Sequence, residues 1–242
     1  MAAATLVLDI ETVLDPELPI AEAAETERIP APAHHQIVAI GGLWIDAHGM
    51  PRRLGIVGED RDEAGILMDF AKLLDERHPT LVTYNGRGFD LPVIAMRCLR
   101  HGIPLAHYYQ SRDVRYRFSP DGHLDLMDFI ADFGATKNSK LDIIAKLCGM
   151  PGKVGVDGKD VGPMVHAGRI QEVRNYCLCD VVQTAGIFYR VELLRGQLTK
   201  EQYQQCMGAL IALIREDPRL QPVAASMNEP RLMLEAPATA TS

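Results

Sequence analysis

No run of apolar residues in this 242-residue chain approaches the length of a membrane span, so the sequence predicts a protein that does not cross a bilayer. The opening residues, MAAATLVLDIET, lack the basic segment of a secretory leader and meet acids almost at once; a first strand is expected there instead. Cysteine is scarce. Five thiols (Cys98, Cys148, Cys177, Cys179, Cys206) make an odd count without framework spacing, which argues against a disulfide scaffold and for reduced thiols in the cytoplasm. Cys-x-x-Cys spacing is absent, and no second Cys/His cluster completes a zinc site. There are no internal repeats. Basic residues are outnumbered, 25 against 32 acids, for a net charge of −7. That balance argues against a protein that coats nucleic acid through a broad basic surface. Acids gathered around bound cations reverse the argument locally.

What is present is an ordinary globular composition, 47% hydrophobic and 24% charged, enough for a sizeable core. The sequence predicts one domain over residues 1–216 and a poorly ordered, Pro/Ala-rich tail over 217–242. TLVLDIETV alternates, with Leu6, Leu8 and Ile10 on one face and Val7, Asp9 and Glu11 on the other. An irregular excursion with four prolines follows over 14–36, then two more strands, IVAIGGLWI and RRLGIVG, in a meander. Residues 59–78 read as a helix, 79–86 as a short strand, and 89–102 as a helix capped by Asp90 and stopped by Gly102. Short helices are expected at 123–134 and 140–150, a glycine-rich loop at 149–162, and long helices over 169–196 and 199–216. The fold class is α/β, a mixed sheet of a three-strand meander plus parallel strands, covered by helices.

Three short motifs carry chemistry. Asp9-Ile10-Glu11 places two carboxylates on one face of a strand. They repel unless a cation lies between them; solvated acids at a strand end are the alternative. In YNGRGFD, residues 84–90, a turn pair precedes Phe89 and Asp90. The segment reads either as turn, core aromatic and cap, or as a third carboxylate presented at a sheet edge beside two ligand contacts. Tyr176 and Asp180 are i and i+4, so in a helix they share a face. Cys177 and Cys179 point elsewhere and are expected to be small core residues.

Taken in this order, the strand Asp-x-Glu, the Asn-x-x-x-Phe-Asp at a strand–helix junction and the Tyr-x-x-x-Asp on a late helix resemble the DEDD superfamily of 3′-to-5′ exonucleases, in its tyrosine branch. Within it the chain resembles the predicted exonucleases related to the proofreading domain of family B DNA polymerases. HQIVAIG, VTYNGRGFDLPVI and HLDLMD add to the likeness, which runs from about Leu6 to about Leu194. The histidine that the sister branch places five residues before the last Asp is Asn175 here.

The resemblance implies a ribonuclease H-like fold and a site for two divalent cations, Mg²⁺ or Mn²⁺. It implies Asp9 as the bridge, Glu11 and Asp180 on the ion that activates water, and Asp90 on the other. Tyr176 would orient the water, and Thr12, Asn85 and Phe89 would touch the terminal nucleotides. Lys153 either reaches a phosphate or is a solvated loop lysine. Arg112, Arg115 and Arg117, interleaved with Tyr116 and Phe118, form either a strand-tracking patch or an ordinary basic surface. His34, His35 and His123 are expected in surface or capping roles, and Asp125 and Asp128 in capping and core packing. The expected substrate is single-stranded or frayed DNA, ahead of RNA, cut from its 3′ end into nucleoside monophosphates. Any polymerase or repair partner is expected to be a separate protein. An exoribonuclease and a non-catalytic nucleic-acid-binding module on the same fold are the rivals.

Overall fold

Alternation along the first strand becomes two buried faces in the computed structural model, which describes residues 4–18, 30–155 and 158–235. Five strands form one sheet: β1 (Thr5–Leu14), β2 (His35–Ile45), β3 (Pro51–Ile56), β4 (Thr80–Thr83) and β5 (His123–Asp125), in the order β3-β2-β1-β4-β5. β1, β2 and β3 are the expected antiparallel meander, while β4 runs parallel to β1 and β5 parallel to β4.

Helices cover both sides. α1 (Glu63–Arg77) and α2 (Asp90–His101) pack Ile66, Phe70, Leu91 and Ile94 against Leu6, Leu8 and Ile10. α3 (Ala106–Gln110) and α4 (Arg112–Arg115) follow, then α5 (Leu126–Ile130), α6 (Leu141–Cys148) and α7 (Val161–His166). On the opposite face, α6, α8 (Ile170–Leu194) and α9 (Lys200–Glu216) bury Ile144, Leu178, Val181, Val182 and Leu210 against Val7, Leu43 and Val82. Two short turns of helix, α10 (Gln221–Ala224) and α11 (Glu229–Leu232), close the described chain. Among the described residues, no helix is long and apolar enough to cross a membrane.

The face that carries Val7 continues through Asp9 and Glu11 beneath α8. Gly41 is the β2 partner of Asp9. A Cβ there would lie 2.8 Å from Cys177 Sγ and 3.1 Å from Val181 Cγ2, so the glycine is what lets α8 settle against the sheet at this point. The β1–β2 register slips between Glu11 and Thr12, a local bulge that turns the strand just beyond the two acids.

Four expectations need correction. Residues 123–134 are not one helix: His123–Asp125 pair with β4, and the helix begins at Leu126. Asp90 is not the cap of α2; Phe89 is, without a side-chain cap bond, and Asp90 is the first helical residue. The glycine-rich stretch 149–162 is not loop to its end, because α7 starts at Val161. The tail is not disordered from 217. Leu220, Val223 and Leu232 are fully buried against α8 and α9, and the Tyr203 hydroxyl donates to the Leu232 carbonyl at 2.5 Å. Their spacing follows no helical period, so the pattern was invisible while the burial is complete. Residues 236–242, and 19–29 of the proline-bearing excursion, lie outside the described residues.

Candidate active site

Four carboxylates meet where the end of β1, the start of α2 and the middle of α8 converge. Asp9 and Glu11 come from the strand, Asp90 from the first turn of α2 and Asp180 from α8. Glu11 and Asp90 are buried and Asp9 and Asp180 half-buried, and the charges of Asp90 and Asp180 raise both Asp9 and Glu11. Burial, then the charges of Asp90, Glu11 and Asp180, push the Asp9 carboxyl far above the ordinary range. Burial, then Asp180 and Asp90, do the same to Glu11. Burial lifts Asp90 to about 7, against backbone hydrogen bonds from its own amide and that of Ile10. Burial lifts Asp180 to about 6, opposed by a hydrogen bond from Tyr176 and by the charge of Lys153. A fold that gathers four acids without an internal counter-charge of equal size leaves a strong demand for external cations.

Tyr176 lies directly over Asp180, as the i, i+4 spacing requires, and donates its hydroxyl to that carboxylate. Burial, then the charges of Asp180, Glu11 and Asp9, raise the phenol far above its ordinary value, so it keeps its proton. Cys179 is in the core as expected. Cys177 is buried too, but it touches the acids: its thiol donates to the Asp9 carbonyl at 3.4 Å, and Sγ is 3.7 Å from Asp9 Oδ2. Asp9, Glu11 and Cys177 offer ligand atoms within 4.8 Å of one another. Helical spacing alone does not reveal this contact, because it depends on Gly41 and the height of α8 above the sheet.

The turn that delivers Asp90 is clamped from outside. Asp125 Oδ1 accepts the Asn85 N–H at 3.0 Å and Oδ2 the Arg87 N–H at 2.9 Å. The same carboxylate caps α5 through the amides of Met127 and Asp128. Asn85 holds a left-handed backbone, φ 71°, which this residue type tolerates. Asp125 is thus a cap, as expected, and also the strut of the neighbouring turn.

Thr12 and Phe89 meet through a residue that the sequence did not single out for the site. His35 is buried. Its Nε2 lies 3.1 Å from the Pro30 carbonyl, which can only accept, so Nε2 carries the proton. Burial holds the ring below its ordinary pKa, hence neutral, and Nδ1 accepts from the Thr12 hydroxyl at 2.9 Å. The Phe89 ring stands edge-on to His35 at 4.9 Å. Lys153 lies near enough to Asp180 for its charge to lower that carboxyl. Its N–H donates to Asp142 Oδ1 at 2.8 Å, and the preceding Gly152 turns the chain with φ 76° where a Cβ would collide with that same oxygen at 2.3 Å. Thr12 and Phe89 thus meet at His35, Asn85 belongs to the turn that ends in Asp90, and the charge of Lys153 reaches Asp180.

The donor set is four carboxylates plus waters and substrate oxygens, which fits hard divalent ions such as Mg²⁺ or Mn²⁺. Among curated proteins none matches this sequence. The fold is similar to the family B DNA polymerase from the hyperthermophilic archaeon Pyrobaculum calidifontis, with 23% identity and a TM-score of 0.57, over 93% of this chain and 28% of that one. This chain therefore corresponds to well under a third of that polymerase. Fainter likenesses extend to E. coli ExoI in a complex with single-stranded DNA (14% identity, TM-score 0.41, 76% of this chain and 43% of that one) and to E. coli exonuclease I with an oligonucleotide (12% identity, TM-score 0.41, 74% and 43%). The sheet and its helical cover are ribonuclease H-like. Residues 29–227 match the family described as predicted 3′-5′ exonuclease related to the exonuclease domain of PolB; β1, with Asp9 and Glu11, precedes that match and is joined to it by the sheet. A match over most of the chain places this protein in that family of predicted 3′-5′ exonucleases.

Proposed function

We propose that this protein removes nucleotides from the 3′ end of single-stranded or frayed DNA, using two divalent cations held by Asp9, Glu11, Asp90 and Asp180. The observation that carries the reading is the meeting of these four acids from three separate elements, where burial raises all four and the charges of Asp90 and Asp180 push Asp9 and Glu11 further towards protonation. Bound Mg²⁺ or Mn²⁺ supplies charge for the attacking and leaving oxygens of a phosphodiester. Asp9, central among the charges, would hold the ions together with Glu11, Asp180 and Asp90.

Tyr176 is the tyrosine of the tyrosine branch. With its proton so firmly held, the phenol is no general base; it donates a hydrogen bond and aims the attacking water. Thr12, fixed by His35, and Phe89, packed on the same ring, grip the terminal nucleotide from one side. Asn85 contacts the neighbouring nucleotide. Lys153 steadies a phosphate beside Asp180. No separate polymerase or repair partner is needed for the cut itself.

The test is incubation with 5′-labelled single-stranded DNA and a matching RNA, with Mn²⁺, Mg²⁺ or EDTA, beside Asp9→Ala. A ladder that shortens from the 3′ end of DNA only with metal, and not in the variant, is the expected result. Faster loss of RNA would reassign the substrate. Intact polymers with a protein that still binds Mn²⁺ would sink the nuclease reading.

A further inference from the structure

Three of the chain's seven tyrosines and three of its six phenylalanines lie between residues 108 and 133. The same stretch carries Arg112, Arg115 and Arg117. In the structure this segment folds beside the turn that delivers Asp90, and between them lies an open groove of about 470 Å³, within the roughly 300–1,000 Å³ of ordinary ligand clefts. Asn85 and Gly88 line its near end, and Tyr108, Arg115, Arg117 and Asn138 line the rest. The groove therefore begins at residues of the same turn that ends in Asp90.

The charges around it are arranged unevenly. Arg117 is neutralised by a two-point pairing with Asp128 at 2.8 and 2.6 Å. Asp125 is spent on backbone amides. Arg87 directs its guanidinium to the carbonyls of Val114, Arg115, Tyr116 and His123, and so builds the wall of the groove. Arg112 and Arg115, both exposed, make no ion pair among the described residues. Each is instead held over tyrosine rings: Arg115 at 5.0 Å from the centre of Tyr109 and 5.9 Å from Tyr108, Arg112 at 5.8 Å from Tyr116. A guanidinium resting on a ring keeps its N–H edge open to a phosphate and has less freedom to lose on binding. Beside them Tyr116 and Phe118 are about half exposed, 49% and 56%. Their rings pair edge-to-face with each other at 5.8 Å, and Phe118 with Phe133 at 4.9 Å. Open aromatic faces next to unpaired guanidinium groups are the two components of a single-strand platform, one for bases and one for the backbone. Within residues 108–118 three arginines face a single acid, Asp113, in a chain that is acidic overall.

We infer that the groove between the 85–88 turn and the 108–118 segment, together with the exposed residues of that segment outside it, carries the single DNA strand upstream of the nucleotide being removed, with Arg115 in the groove and Arg112 beyond it on its phosphates, and Tyr116 and Phe118, also outside the groove lining, stacked on its bases. This rests on the reading that the acid cluster acts on a nucleic-acid 3′ end, and it adds the path by which the rest of the strand leaves.

The experiment measures binding apart from cutting. A fluorescein-labelled 12-mer of DNA is titrated in EDTA, by anisotropy and across salt concentrations, with wild type, Arg112→Ala/Arg115→Ala, and Tyr116→Ala/Phe118→Ala. Arg52→Ala/Arg53→Ala, on exposed residues of β3 at the opposite edge of the sheet, is the charge-matched control. Loss of two phosphate contacts lowers the salt slope by about 1.4, with an affinity loss of about tenfold at low salt. The aromatic pair loses about fivefold or more through stacking. The control pair binds as wild type. Wild-type affinity in both groove variants, or an equal loss in the control, overturns the assignment; tighter binding of a matching RNA overturns the choice of DNA. Hydrolysis of the same 12-mer with Mn²⁺ is followed in parallel. A wild type that binds but never cuts removes the nuclease reading and leaves the groove; one that cuts, with groove variants that bind and cut unchanged, removes only the groove.

Discussion

Two clusters of buried charge lie at opposite ends of one stretch of this fold, and they are balanced in opposite ways. At the end of β1, Asp15 and Glu63 enclose Arg97, with N–O distances of 2.6 Å to each and side chains only 3–6% exposed. Arg100 joins Asp15 at 3.2 Å, and His101 lies 2.9 Å from Glu63. A few residues earlier on the same strand, Asp9 and Glu11 face Asp90 and Asp180. Burial works to raise the Asp15 carboxyl, but Arg97 and Arg100 hold it below its ordinary value. Burial works the same way on Asp9, and its neighbours add to the rise. The difference teaches what each cluster is for. The first supplies its own cations, so it fastens the end of β1 to α1 and α2. The second has no arginine among its partners, and its carboxyls are raised, so it favours protons or bound cations.

The largest effect comes from breaking the balanced cluster. Arg97→Ala removes the cation shared by two buried carboxylates, leaving Asp15 with Arg100 and Glu63 with His101, and is expected to cost about 3 kcal/mol of stability, read by urea denaturation. In the unbalanced cluster the same kind of change is expected to reverse sign: Asp9→Asn in EDTA melts above wild type, because repulsion is relieved, while exonuclease activity is lost. Should Asp9→Asn instead destabilise the metal-free protein, the acids are compensated in a way the structure does not contain.

Tyr176→Phe is expected to slow hydrolysis by about a hundredfold, within the range for losing a positioned proton-transfer or hydrogen-bonding group, while Mn²⁺ binding by calorimetry stays within about twofold of wild type. Loss of metal affinity as deep as in Asp9→Ala would make the tyrosine a structural support of the ligands instead.

The two clusters also respond to pH in opposite directions. Asp90 and Asp180 titrate near 7 and 6 in the fold, above the ordinary carboxyl value of about 4. Between those limits the folded state holds more protons than the unfolded one, so stability in EDTA falls as pH rises from about 4 to 7. Asp15 is lowered, so its contribution is present above the ordinary value and is lost as pH falls through its folded pKa. The metal-free melting temperature is expected to peak near about pH 4 and to fall from there towards about pH 7. Saturating Mn²⁺ at a hundred times its Kd adds about 2.7 kcal/mol at pH 7.5 and removes the decline. A flat metal-free profile from pH 5 to 8 would contradict the acid cluster as drawn.

The smallest effect is expected at His35. His35→Ala frees the Thr12 hydroxyl and the edge of Phe89 without touching the acids. KM for a single strand is expected to rise by about tenfold or less, as for the loss of an outer supporting residue, with kcat within about threefold. Equal losses in kcat and in Mn²⁺ affinity would show that the histidine props the metal ligands rather than the substrate side.

Much of this was legible residue by residue. Strand period two put Asp9 and Glu11 on the face of Val7, and helix period 3.6 put Tyr176 over Asp180; both relations hold in the fold. Other relations were not. Asp90 reads as a cap because aspartate favours that position, yet Phe89 takes the cap and Asp90 turns inward. Cys177 reads as filler, yet it lies against Asp9 because Gly41 admits the helix. His123–Asp125 reads as helix because three residues carry too little periodicity to oppose the helix after them; pairing with β4 decides it.

By itself, then, the sequence determined which side chains share a face within each strand and helix, the five candidate residues of the acid site, and the mixed α/β architecture. These follow from local geometry, which repeats every two or 3.6 residues whatever lies around it. Tertiary packing was needed to show that His35 joins Thr12 to Phe89, that Asp125 braces the turn before Asp90, that Leu220, Val223 and Leu232 are buried, and that a groove lined by Tyr108, Arg115 and Arg117 opens beside that turn. Those contacts connect segments tens of residues apart, and their partners are chosen by how closely helices can approach the sheet, a matter of volume and burial that no repeat in the chain records.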